Sequence, residues 1–118
     1  MDVRDIAAVA AIALTESGHE GATYTLTGPA SITHGEIAAA LTSALGRDIT
    51  FIDVPPGAFA DSLQGILPPW QIQGLLEDYS HYRRGEAASV SKAIAEITGK
   101  PAADVRHFAR DHVRIFVG

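Results

Sequence analysis

The sequence predicts an α/β fold with two main strands, five to six helices and a mostly helical C-terminal half. Three observations carry this prediction. Apolar residues recur at helical spacing near the start of the chain and through most of its second half. Two stretches, "ATYTLT" and "DITFIDVPP", instead alternate with a period of two. A helical pattern precedes the first of these and separates it from the second, so the order is helix, strand, helix, strand and helical tail. Two strands are fewer than a sheet of ordinary size contains.

In the first element, "DVRDIAAVAAIALTES", Ile6, Val9, Ala10, Ala13 and Leu14 fall at helical spacing over about residues 4 to 16, with Asp2 and Asp5 placed to satisfy amides at the helix start. "GHEG" makes a turn, and Thr23 to Thr27 follows as a strand. After Gly28-Pro29, Thr33 and Glu36 have the T-x-x-E spacing of a capping box, opening a helix over about 34 to 45 that Gly46 ends. The second strand sets Ile49, Phe51 and Asp53 on one face and Thr50, Ile52 and Val54 on the other, the pattern of a buried strand, and Pro55-Pro56 stops it. "PGAFADSLQGI" reads as a short helix. Another starts near Pro69 with Ile72, Leu75, Leu76 and Tyr79 on one stripe. Ser91 caps a short helix ending at Gly99. A last helix opens at Pro101 and places Val105, Phe108, Ala109, His112, Ile115 and Phe116 on one face.

At 118 residues and 12.4 kDa the chain suits a single domain spanning 1–118. The net charge of -5 and pI near 5.4 argue against nucleic acid as a partner, because phosphate binding normally needs a basic face. The arginines at 83, 84, 106, 110 and 114 are interspersed with Glu86, Asp104 and Asp111, as on a solvated helix face. There is no cysteine, which removes disulfides, thiolate metal sites and cysteine nucleophiles and fits a reducing, cytoplasmic setting. The longest apolar run, Ile6 to Leu14, is far shorter than the roughly 20 residues that span a bilayer.

The blocks "DVRDIAAVAAIAL", "GATYTLTGPASITHGEIAAALTSALGRDITFIDVP" and "ITGKPAADVRHFARDHVRIF" together resemble the C-terminal portion of the NmrA-like atypical short-chain dehydrogenases/reductases, with "VRDIA" and "YTLTGP" the more specific parts. The resemblance covers nearly the whole chain. It implies a partial Rossmann-like fold from a family of NAD(P)-binding oxidoreductases and redox-sensing proteins, with the cofactor carrying the hydride chemistry. That family's G-x-x-G-x-x-G turn after a first strand is absent here. Gly18-His-Glu-Gly21 precedes a strand instead of following one and reads as a turn. The Tyr-x-x-x-Lys pair is absent too, because Tyr24, Tyr79 and Tyr82 are followed four residues later by Gly28, Arg83 and Glu86. No dinucleotide site is therefore expected in this chain, and NAD(P) is implied only for a full-length relative. Gly28-Pro29 follows a strand, but one glycine beside a rigid proline offers few amides and no lysine follows, so the segment reads as scaffold.

The resemblance puts the substrate side between Pro55 and Tyr82, where Phe59, Leu63, Trp70 and Tyr82 would wall a pocket for a small apolar or aromatic ligand; the competing reading makes them core residues. The catalytic residues are unknown. Asp78, Ser80 and His81 are weak candidates for a small ester or lactone hydrolase, weakened by the absence of G-x-S-x-G and by the roughly 100° between neighbouring side chains on a helix. His107 and His112 lie too far apart around a helix to share a metal ion, and no metal site is expected. A missing N-terminal Rossmann half would leave apolar faces uncovered, so self-association, as a homodimer, is also expected, and a stand-alone self-associating module is the alternative function.

Overall fold

The computed structural model describes residues 1–117 and contains seven helices among them: α1 (Val3–Thr15), α2 (His34–Leu45), α3 (Pro56–Leu63), α4 (Pro69–Arg83), α5 (Ala93–Thr98), α6 (Val105–Asp111) and α7 (Val113–Phe116). The chain divides into two compact units. One is built from Met1–Thr50 together with the chain from Val90 on, the other from Phe51–Ser89.

In the first unit α2 packs on α6 and α7, and α1 packs on α5. The buried residues of the α2–α6 pair are all alanine, Ala38 and Ala40 on one helix and Ala109 on the other, so the helices can approach closely. Val9 of α1 and Ala93 and Ile94 of α5 form the rest of the buried apolar set of this unit. The capping box at the start of α2 is complete: the Glu36 amide donates to Thr33 Oγ1 (3.2 Å) and the Thr33 amide donates to Glu36 Oε2 (2.7 Å). Gly46 ends the helix in the left-handed region at φ 66°, and Thr42 Oγ1 then accepts the Ile49 amide at 2.9 Å.

Three expectations are corrected here. The stretches 23–27 and 49–54 form no strand among the described residues, whose single β-type contact is the isolated bridge between Gln64 and Leu67. A strand exists only through a ladder partner, and neither stretch has one. Phe51, Ile52 and Val54, read from the alternation as buried, are exposed. The inward face of α1 is also rotated from the one the spacing suggested. Asp5, Val9, Ile12 and Ala13 turn inward, while Val3, Ile6, Ala10 and Leu14 lie exposed along one stripe. Polar anchors set that rotation: Asp5 Oδ2 accepts the Ala103 amide at 2.8 Å, and Arg4 Nη1 pairs with Asp111 at 2.7 Å. The same Ala103 bond keeps 101–104 non-helical, so the last helix opens at Val105 under an Asp104 cap instead of at Pro101, and it breaks at His112. There His112 Nδ1 donates to the Phe108 carbonyl at 2.9 Å, and its ring stacks on Phe108. Ile115 is consequently exposed.

The second unit is the α3–turn–α4 hairpin. The expected stripe on α4 is oriented as predicted at its first three positions, with Ile72 buried and Leu75 and Leu76 half-buried, whereas Tyr79 is exposed. Leu63 ends α3 and its carbonyl accepts the Ile66 and Leu67 amides at 3.1 Å, which closes the turn into α4. Pro68 and Pro69 start α4 without a side-chain cap, since proline at the first positions has no amide to leave unpaired.

Candidate functional site

The polar and aromatic residues singled out between Pro55 and Tyr82 all lie in the second unit. Phe59 meets Tyr79 edge-on with ring centroids 5.3 Å apart, and Tyr79 meets Tyr82 edge-on at 5.9 Å, so Phe59 and Tyr82 belong to one aromatic run along the hairpin. Trp70 stands apart from that run. It is 73% exposed and lines a hollow of about 310 Å³ with Leu67, Gln71, Gly74, Leu75 and Asp78. A second hollow, of about 460 Å³, has Ala60, Leu67, Pro69, Ile72 and Leu76 among its walls. The structure thus does not gather the four predicted wall residues around one hollow: Trp70 lines the first, while Phe59, Leu63 and Tyr82 line neither.

Asp78, Ser80 and His81 are likewise separated by the helix they share. Ser80 Oγ accepts from Arg84 Nη1 at 2.6 Å, and no hydrogen bond joins Ser80 to His81 among the described residues. His81 is instead held by carboxylates, with Nδ1 against Glu86 and Nε2 3.9 Å from Glu77. Arg84 also reaches Glu86, and its guanidinium, followed by His81, holds that carboxyl below the usual range. This arrangement orders the C-terminal end of α4, where cationic groups also complement the helix dipole. Glu77 was missed by sequence reasoning, although its i, i+4 spacing to His81 marks the pair, whereas Arg84 and Glu86 were read as part of a solvated helix face.

At the start of α2 the local geometry does not form a phosphate cradle. A phosphate cradle needs unengaged amides at a helix start, but at α2 the capping box engages the Thr33 and Glu36 amides and sets a carboxylate there, which would repel phosphate. Gly18 and Gly21, both at positive φ, form the turn after α1, with the Gly18 amide donating to Glu20 Oε2 at 2.9 Å. A Cβ at Gly28 would lie 3.9 Å from the Met1 backbone, and its neighbour Thr27 uses Oγ1 to accept the Ser91 amide at 2.9 Å, a scaffold contact between segments remote in sequence. No cluster of three or more metal-ligating side chains occurs among the described residues, and no helix is long and apolar enough to cross a membrane.

No protein-family model matches the chain. It is 38% identical over 116 residues to the (4-alkanoyl-5-oxo-2,5-dihydrofuran-3-yl)methyl phosphate reductase of Streptomyces griseus, an alignment covering 98% of this chain and 41% of that protein. It is 34% identical to the NAD(P)H azoreductase of Xenophilus azovorans, again over 98% of this chain and 41% of the relative. The NADPH-dependent quinone oxidoreductase of Escherichia coli superimposes on it with a TM-score of 0.80 at 29% identity, covering 91% of this chain and 39% of that structure. A second structure of that enzyme, in complex with NADPH, gives a TM-score of 0.79. The chain spans about two fifths of the length of the curated relatives it matches. It is therefore homologous, across nearly all of its own length, to one part of NAD(P)H-dependent reductases.

Proposed function

We propose that the chain is the C-terminal, substrate-side part of an NmrA-like, NAD(P)-dependent oxidoreductase or redox-sensing protein, a partial Rossmann-like fold that relies on residues outside these 118 for the dinucleotide. One observation carries the reading: the similarity to reductases runs through 98% of this chain yet takes up 41% of theirs. In such a protein NAD(P) supplies the hydride, and this chain's share is to bind and orient the acceptor against the α3–α4 hairpin. The lack of cysteine is in keeping with a reducing, cytoplasmic setting.

Calorimetric titration of the chain with NADPH tests the division of labour. No binding tighter than about 10 μM, roughly 7 kcal/mol, is expected, and a tighter complex overturns the reading. A chimera with this chain in place of the matching segment of the Escherichia coli quinone oxidoreductase is expected to bind NADPH and to keep reductase turnover. Loss of turnover in a folded, NADPH-binding chimera would count against the substrate-side assignment.

A second reading, a self-associating module, is favoured by the stripe on α1. Val3 is 72% exposed and Leu14 86%, an apolar face that a soluble helix normally covers.

A further inference from the structure

The hollow beside Trp70 lies on the hairpin that the reductase reading assigns to the acceptor, and its composition is more specific than that reading requires. Trp70, Gly74 and Asp78 follow one another at i, i+4 and i+8 on α4 and therefore share a face. Trp70 is the chain's sole tryptophan, and its exposure sets an aromatic surface in water. Gly74 makes the floor between Trp70 and Asp78. A Cβ there would meet nothing within 4 Å, and Gly74 is not among the glycines at positive φ, so neither crowding nor backbone conformation calls for glycine at a mid-helix position that disfavours it. What glycine provides is a notch. Asp78 bounds the far end, and no hydrogen bond or ion pair engages its carboxylate among the described residues. No cationic side chain lines the hollow, whose other walls are Leu67, Gln71 and Leu75. The surrounding unit carries five carboxylates and two arginines, a field that attracts cations.

We propose that this hollow binds a small planar organic cation, an aromatic ammonium whose ring lies on the Trp70 indole and over Gly74 while its N–H groups donate to the Asp78 carboxylate. Aromatic surface, apolar wall and a single carboxylate together select for a flat body and a positive end. Eight residues of helix rise about 12 Å, so a bicyclic ring with an aminomethyl arm suits the span better than a single ring. The inference stands apart from the reductase reading, because it requires no dinucleotide.

The test is a titration of the chain with 2-naphthylmethylammonium, followed through the indole N–H signal of Trp70, the one signal of its kind, with 2-naphthylmethanol as the neutral counterpart. A saturable shift is expected, with the ammonium bound about five-fold or more tighter than the alcohol, the order of effect of one charge-assisted hydrogen bond at a partly exposed site. Asp78→Asn should remove that preference and leave the alcohol unaffected. Gly74→Ala should weaken both ligands by filling the notch while raising the melting temperature, since alanine is the better helix former. The latter pairing separates a filled site from a damaged fold. Equal affinity for ammonium and alcohol, an unchanged preference in Asp78→Asn, or no saturable shift would each overturn the proposal.

Discussion

Arg4 shows how one side chain can join remote parts of the first unit. Its guanidinium donates to both oxygens of Asp2, at 3.1 Å from Nε and 2.7 Å from Nη2, and pairs through Nη1 with Asp111 on α6. Asp2, nearly inaccessible at 6%, caps α1 by accepting the Arg4 amide at 2.9 Å. The Arg4 side chain, then its amide, pull the Asp2 carboxyl from 3.8 down to about 2. A carboxyl whose folded pKa is depressed contributes stability above its unfolded pKa and loses that contribution as pH falls toward the folded value. The window here lies between about pH 4 and pH 2. In thermal melts Asp2→Asn should therefore lie well below wild type near neutrality, and the gap should close across that window. A gap that stays constant down to pH 2 would show that the ionised carboxylate is not what matters at this position.

At the scale of elements, α2 is the one whose local chemistry is most complete, with a reciprocal cap at its start and a left-handed glycine at its end. Thr33→Ala should cost about 1 kcal/mol in denaturant unfolding, the usual worth of a cap, without affecting ligand binding to the α3–α4 hairpin. An unchanged stability together with lost binding would make the start of α2 functional instead of scaffold. The helices with local signals were legible from sequence: Gly46 and Gly99 both end helices at positive φ, and Pro69 opens α4 as read. Ser91 does accept the Ala93 amide at 3.1 Å, although α5 itself begins at Ala93, two residues on. The two stretches read as strands had the right composition, but period-two alternation records a preference for extended backbone and says nothing of whether a partner is present to complete the ladder.

For the whole molecule, the exposed stripe on α1 and the exposed Phe51, Ile52 and Val54 leave apolar surface that another polypeptide could cover. Self-association of the isolated chain is the expected outcome. Sedimentation equilibrium at micromolar concentration should show a species of about twice 12.4 kDa, and Leu14→Lys, which puts a charge into the stripe, should shift it toward monomer. A concentration-independent mass of 12.4 kDa would dismiss the self-associating reading and leave the reductase reading intact.

By itself the sequence determined the features that depend on neighbours along the chain: the helix caps at Thr33 and Gly46, the proline start of α4, the turn at Gly18 to Gly21, the lack of a glycine-rich phosphate turn, and the blocks that resemble an NAD(P)-binding oxidoreductase family. These are legible because capping and turn geometry are satisfied within a few residues. Tertiary structure alone decided which face of α1 turns inward, where α6 begins, that Thr27 is tied to Ser91, and that Trp70 lies beside Asp78 while Phe59 and Tyr82 both meet Tyr79. Each of these depends on partners far along the chain or on a rotation about a helix axis, and the many alanines of α1 and α2 leave apolar spacing little contrast to fix such a rotation. The anchors that do fix it for α1, Asp5 on Ala103 and Arg4 on Asp111, join residues about a hundred positions apart, a distance over which sequence periodicity carries no information.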